Sequence, residues 1–211
     1  MATLALAVAD RLEEIDLDRV AREGARDAAL AFRVMREARV IGPTATTQFT
    51  ARIAPAVWVE YSHPGPWSVS LEPRATLYSD EHQLERLGRL VRPLEAAPFA
   101  ELLNRRGDIQ AIAVARTPGL AAVAKAGLVL SVATSAGEAV ELPLIDADHI
   151  ADALAERSSG DRLVQAVLLS DGRLVALSAV GVLAAAERVI ALEEAAQIHI
   201  HAAVLRREAA L

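Results

Sequence analysis

The 211-residue chain has no cysteine, which excludes disulfides, thiolate metal sites and a thiol nucleophile. Aromatic residues supply only 3% of it against 53% hydrophobic residues overall. The core must therefore be built from closely packed Ala, Val, Leu and Ile, as when helices cover a sheet, and broad surfaces for stacking bases are scarce. An excess of basic residues is also missing. With a net charge of −6 and arginines dispersed among acids, no stripe offers a phosphate-backbone footprint, which argues against nucleic acid as a partner. No apolar run reaches the roughly 20 residues that a membrane-spanning helix needs. The apolar start, Met1 to Ala9, lacks a basic region of the secretory kind. The expectation is a cytoplasmic protein with no membrane association.

The periodicity of what remains predicts one α/β domain over residues 1–211, with helices on both faces of a mixed, largely antiparallel sheet. A helix is expected from Asp18 to Arg39, and consecutive antiparallel strands at 47–53, 57–61 and 67–71, divided by Ala54-Pro55 and His63-Pro64-Gly65-Pro66. A helix over 80–91 precedes another from Glu95 to Arg106. A buried strand over 109–115, a helix opening at Pro118, a strand over 128–134 and a helix over 146–157 follow. Strands over 163–169 and 173–177 turn at Ser170-Asp171-Gly172. The last helix runs from Ala179 to about Arg207, with Ser178 as its expected N-cap.

Three segments carry a resemblance. Residues 166–177 and 185–198 form a strand, a Ser170-Asp171-Gly172 turn, a second strand and a helix containing Leu192-Glu193-Glu194-Ala195-Ala196. This resembles the class II aldolase/adducin family, where the turn is Asn-His-Gly, so Asp171 stands at the third metal-binding histidine. Matching Thr117-Pro118 to the Ser-Pro of the family's His-x-His-Ser-Pro places Val114 and Arg116 at the other two. Glu95 then falls at the catalytic acid/base glutamate. Gly42 to Arg52 resembles the Gly-Thr-x-Gly-Asn-x-Ser-x-Arg segment that binds phosphate or substrate oxygens, so Thr47, Gln48, Thr50 and Arg52 join Thr117 as substrate-binding candidates. The resemblance implies the three-layer α/β/α fold of class II aldolases and a homo-oligomer, commonly a tetramer.

The ligand set for a metal is missing. Valine has no lone pair, arginine is permanently cationic, and one carboxylate is too few donors, so neither metal nor other cofactor is expected. Arg116 and Asp171 then admit two readings. They form a buried salt bridge across the emptied pocket, or Arg116 takes over the metal's positive charge, with Glu95 as acid or base and Asp171 orienting the arginine. The second implies metal-independent carbonyl or enolate chemistry of the lyase, decarboxylase, epimerase or dehydratase type on a small anionic metabolite. Its rival is an inactive pseudoaldolase that serves as a metabolite-binding or structural subunit. His199 and His201 spell His-x-His, but on a helix they point about 200° apart. His63 is read as a loop residue, His82 and His149 as solvent-facing, and Tyr61 and Tyr78 as packing residues.

Overall fold

The computed structural model describes residues 17–42, 47–54, 57–63, 73–79, 91–93, 97, 99–133, 139–155 and 165–208. In chain order the helices are α1 (Leu17–Glu37), α2 (Ala100–Arg105), α3 (Pro118–Lys125), α4 (Ile150–Ala155) and α5 (Val182–Glu208), with a 3-10 turn at Ala147–His149 leading into α4. The strands are β1 (Thr47–Ala54), β2 (Val57–Ser62), β3 (Arg74–Ser79), β4 (Val91–Pro93), β5 (Ala111–Arg116), β6 (Leu130–Ala133), β7 (Ala139–Leu142), β8 (Leu144–Ile145), β9 (Ala166–Leu169) and β10 (Arg173–Ser178).

Eight strands make one sheet in the order β4-β3-β2-β1-β5-β10-β9-β8, while β6 and β7 form a separate antiparallel pair. The pairings β3–β4 and β8–β9 are parallel; every other pairing in the large sheet is antiparallel. The mixed, largely antiparallel sheet expected from the sequence is therefore the one observed. Side-chain alternation divides the core in two. Ala111, Ala113 and Ala115 of β5 join Phe49, Val59, Tyr61 and Ala176 beneath residues of α1, α3 and α5. Ile112 and Val114, on the other face, join Trp58, Tyr78, Val175 and Leu177 beneath residues of α2 and α4. This is a three-layer α/β/α arrangement. Few aromatics suffice because the alanine face of β5 lets Ala185, Val189, Leu192 and Ala196 of α5 approach closely.

Several boundaries differ from the sequence expectation. The third strand beside β2 is Arg74–Ser79; the strand expected at 67–71 and residues 80–90 of the helix expected at 80–91 lie outside the described residues, while Val91 opens the strand β4. Of the helix expected from Glu95 to Arg106, the described part is Ala100–Arg105, and Phe99 before it adopts a left-handed φ of 63° that departs from the helical path. The pair β7 and β8 has no counterpart in the sequence reading. Ser178 is not the N-cap of the last helix: its hydroxyl accepts from the N–H groups of Val180 and Gly181, each at 3.1 Å, and α5 starts at Val182. His63 is not a free loop residue. Its ring meets Phe32 of α1 edge-on at 5.1 Å, and burial, aided by the charge of Arg36, pushes its pKa down.

Two polar locks fasten helices to the sheet. The Tyr61 hydroxyl donates to the Ala21 carbonyl of α1 at 3.0 Å, and burial with the Asp27 charge pushes the phenol pKa up, keeping it a neutral donor. At the start of α3, the Glu193 carboxylate of α5 accepts from the Thr117 hydroxyl at 2.5 Å and from the N–H groups of Gly119 and Leu120 at 2.8 and 3.0 Å. Gln197, one turn further along α5, donates to the same carboxylate at 2.9 Å. Glu193 is 1% exposed, and the positive end of the α3 dipole complements its charge.

Both locks make testable demands. A Cβ on Gly24 would lie 2.2 Å from the Tyr61 hydroxyl oxygen, so Gly24→Ala should destabilise the fold by about 1–3 kcal/mol. In urea denaturation, Tyr61→Phe should recover part of that loss, making the double variant more stable than the sum of the single effects predicts. Additive losses would show that the hydroxyl does not set the spacing. Glu193→Ala strands three donors at the α3 terminus and should cost about 2–5 kcal/mol in the same assay. A change below about 0.5 kcal/mol would remove the carboxylate as a lock.

Candidate functional site

The site grows from the end of β5. Val114 and Arg116 are two residues apart on one strand and so share the sheet face opposite α5. The β5–β10 register pairs Arg116 directly with Arg173 and Val114 with Val175. Directly opposed side chains on an antiparallel pair have Cβ atoms about 5 Å apart, so the two guanidinium groups are rooted side by side. Arg173 lies outside the family motifs; its signal in the sequence is its position two residues after Asp171, at the first residue of the strand that leaves the turn.

Asp171 occupies the turn between β9 and β10. Gly172 holds the turn with φ 86° and donates its N–H to the Leu169 carbonyl at 2.8 Å; a Cβ there would come within 3.1 Å of Ala121 in α3. The Asp171 carboxylate accepts from the Arg173 backbone N–H at 2.9 Å and from Arg173 Nε at 2.7 Å. Partial burial works against its charge, but the Arg173 hydrogen bonds and the charges of Arg173 and Arg116 outweigh this and hold its pKa below the usual carboxylate value. Arg116 and Asp171 are both exposed. They do not form the buried salt bridge considered from the sequence, because Asp171 pairs with Arg173 in the same turn. A cleft of about 380 Å³ opens between this turn and α3, lined by Arg116, Lys125, Ser170 and Asp171. The Ser170 hydroxyl in turn donates to Asp146 at 2.7 Å.

The remaining candidates separate by position. Gln48 and Thr50 point to the same face as Val114, and Gln48 pairs with it across the β1–β5 ladder, whereas Thr47 points to the opposite face beside Ala115. The hydroxyls of Thr47 and Thr50 are buried with no hydrogen-bond partner among the described residues. Arg52 sits opposite Gln110, whose carbonyl accepts its backbone N–H. That is six residues from Arg116, or roughly 20 Å along the strand. There Arg52 stacks over Trp58 at 4.4 Å and donates to the Arg106 carbonyl at 3.2 Å; burial pushes its pKa down and Asp108 opposes that shift. The structure thus brings together Arg116, Arg173 and Asp171, with Gln48 one strand away, and leaves Arg52 at the far end of the ladder. Thr117 is buried, with its hydroxyl committed to Glu193. Glu95 lies outside the described residues.

The donor set does not suit a metal ion. Val114, Arg116 and Asp171 offer one carboxylate and one guanidinium, with a second guanidinium on Arg173 opposite, and among the described residues no three His, Cys, Asp or Glu side chains gather closely enough to hold a metal. His199 and His201 occur within α5 and His149 is exposed at the 3-10 turn; His82 lies outside the described residues. The hydroxyl of Tyr78 donates to Glu60 at 3.1 Å, and burial together with the Glu60 charge raises its pKa.

No protein-family model matches the chain, and no curated protein matches it. Among solved structures, it is similar to l-fuculose-1-phosphate aldolase from Thermus thermophilus, with 16% identity, coverage of 90% of this chain and 96% of that one, and a TM-score of 0.59. The L-fuculose 1-phosphate aldolase from Glaciozyma antarctica shares 15% identity over 88% of this chain and 75% of its own, with a TM-score of 0.59. An aldolase II superfamily protein from Pseudomonas syringae shares 18% identity, covers 89% of this chain and 79% of its own, and has a TM-score of 0.55. The likeness lies in the path of the backbone through nearly the whole chain, and by it this protein has the class II aldolase fold.

Proposed function

We propose that the chain binds a small anionic substrate between Arg116 and Arg173 and performs metal-independent carbonyl or enolate chemistry on it, of the lyase, decarboxylase, epimerase or dehydratase type. The observation that carries this reading is the direct opposition of two arginines across β5 and β10, with Asp171 paired to Arg173 beside them. Like charges facing each other across a ladder are destabilising, and an anion bridging them relieves the repulsion. A guanidinium holds a carboxylate or enolate through paired N–H donors. Placed where the resembled family holds its ion, Arg116 stabilises negative charge developing on a substrate oxygen. Asp171 holds Arg173 by its Nε, so the terminal nitrogens of that guanidinium remain donors for a ligand. Glu95 is the acid or base that moves the substrate proton.

A second reading draws on Val114, which is 4% exposed and fills the first ligand position with an apolar side chain. In that reading the protein is an inactive pseudoaldolase that binds a metabolite or serves as a structural subunit. In either case it is cytoplasmic and assembles as a homo-oligomer, with a tetramer favoured.

Isothermal titration with pyruvate and with inorganic phosphate tests the site. Arg116→Gln and Arg173→Gln should each weaken binding by about 10-fold or more, the usual worth of a charge-assisted hydrogen bond. Unchanged affinity in both variants would refute the site. Exchange of pyruvate methyl protons with deuterated water, followed by NMR, separates the two readings: exchange that Glu95→Gln abolishes supports enolate chemistry, and none in the parent protein supports the pseudoaldolase. Light scattering on the eluting protein should give about four times the 22.4 kDa chain mass; a 22.4 kDa particle would exclude the oligomer.

A further inference from the structure

Arg173 lines a second, larger cavity. A groove of about 590 Å³ runs between the start of α2 and the 3-10 turn that opens α4, on the sheet face of Val114, while the Arg116 side chain lines the cleft beside α3. That volume lies in the range of small-molecule sites. Ala100, Leu102, Ile150 and Ala151 give it an apolar wall, and Phe99 stands at its lip. The left-handed φ of 63° at Phe99 is costly for a bulky residue, and such strain gathers at ligand-binding positions. Arg173 is the one cation along the wall among the described residues.

The charges around the groove restrict what can enter. Glu101 and Asp148 add two carboxylates to its lining; Glu101 is paired with Arg105, whereas Asp148 is exposed. The positive charge of Arg173 is itself partly answered by Asp171. One carboxylate can therefore be held at Arg173, but a dianion meets uncompensated repulsion from Asp148. The alanine wall offers few partners for the hydroxyls of a sugar, and burying these without hydrogen bonds is unfavourable.

From this lining and the β5–β10 register we infer that the site takes a monocarboxylate with a compact apolar body, alkyl or aryl, whose body fills the α2/α4 groove and whose carboxylate lies at Arg173, toward Arg116 opposite it in the ladder. This selects against sugar phosphates. The inference rests on the Arg116–Arg173 anion site for the placement of the carboxylate, and adds the substrate class.

Calorimetric titration of the full chain with three probes tests it: phenylacetate, acetate (the same charge without the body) and phenyl phosphate (a related body with a dianion). Phenylacetate should bind at least tenfold more tightly than either. Ala151→Leu, which fills the groove, should remove the advantage over acetate while leaving acetate binding unchanged. Ala147→Leu, at an exposed position of the same lining, should weaken phenylacetate binding and guards against a folding defect in the first variant. Equal affinities for phenylacetate and acetate, tighter binding of phenyl phosphate, or groove variants without effect would overturn the inference. If acetate binding still fell in Arg116→Gln, the anion site would survive that failure. Loss of phenylacetate binding in Ala151→Leu and Arg173→Gln but not in Arg116→Gln would keep the groove and its monocarboxylate class while rejecting Arg116 as part of the site.

Discussion

The buried carboxylate of Glu193 is the interaction on which the arrangement around Arg116 depends. A carboxyl group at 1% exposure is tolerable only where hydrogen-bond partners surround it. Here the donors are the hydroxyl and N–H groups at the start of α3, reinforced by Gln197. The same contact that satisfies the carboxylate fixes the direction in which the chain leaves β5. Thr117 follows Arg116, so the lock sets where the strand ends and the arginine emerges. It also explains a glycine inside a helix: a Cβ at Gly119 would approach within 2.9 Å of a Glu193 oxygen, and the loss of helix propensity is accepted for that close contact.

Beyond this anchor, β5 and β10 divide their faces by size and polarity. Alanines meet α5 on one side, where close approach of a long helix calls for small residues. Ile112, Val114, Val175 and Leu177 fill the other side until the strand ends, where Arg116 and Arg173 reach solvent. Water screens their repulsion, and Asp171 neutralises part of it, so opposed arginines can be carried there at a cost far below that of a buried pair. Two guanidinium groups beside a single carboxylate give this strand end a net positive charge, which is the physical ground for the proposed anion.

Part of this was legible in the sequence. The strand–turn–strand–helix run from Ala166 onward and the strand ending before Thr117-Pro118 could both be read from residue order, because local periodicity and turn chemistry suffice for them. The sheet face shared by Gln48 and Val114 follows from alternation once the strands are paired. Arg173 and Glu193 were missed for a common reason. Each acts on a residue distant in the chain, Arg116 and Thr117 respectively, and an isolated sequence contains no register between β5 and β10 and no docking position for α5. Arg52 shows the converse: the motif that names it places it near the site, whereas the antiparallel register carries it to the opposite end of the strand.

What the sequence by itself determined was the class of architecture, the turn at Gly172 and the alanine-rich packing of helices on a sheet, since these depend on residue type and on spacings of a few positions. The tertiary structure alone decided which charges meet. It paired Asp171 with Arg173 in its own turn, set Arg116 opposite Arg173, committed Thr117 to Glu193 and opened the groove between α2 and α4. Strand register and helix docking bring together groups that lie tens of residues apart, and they are settled by the packing of the whole core.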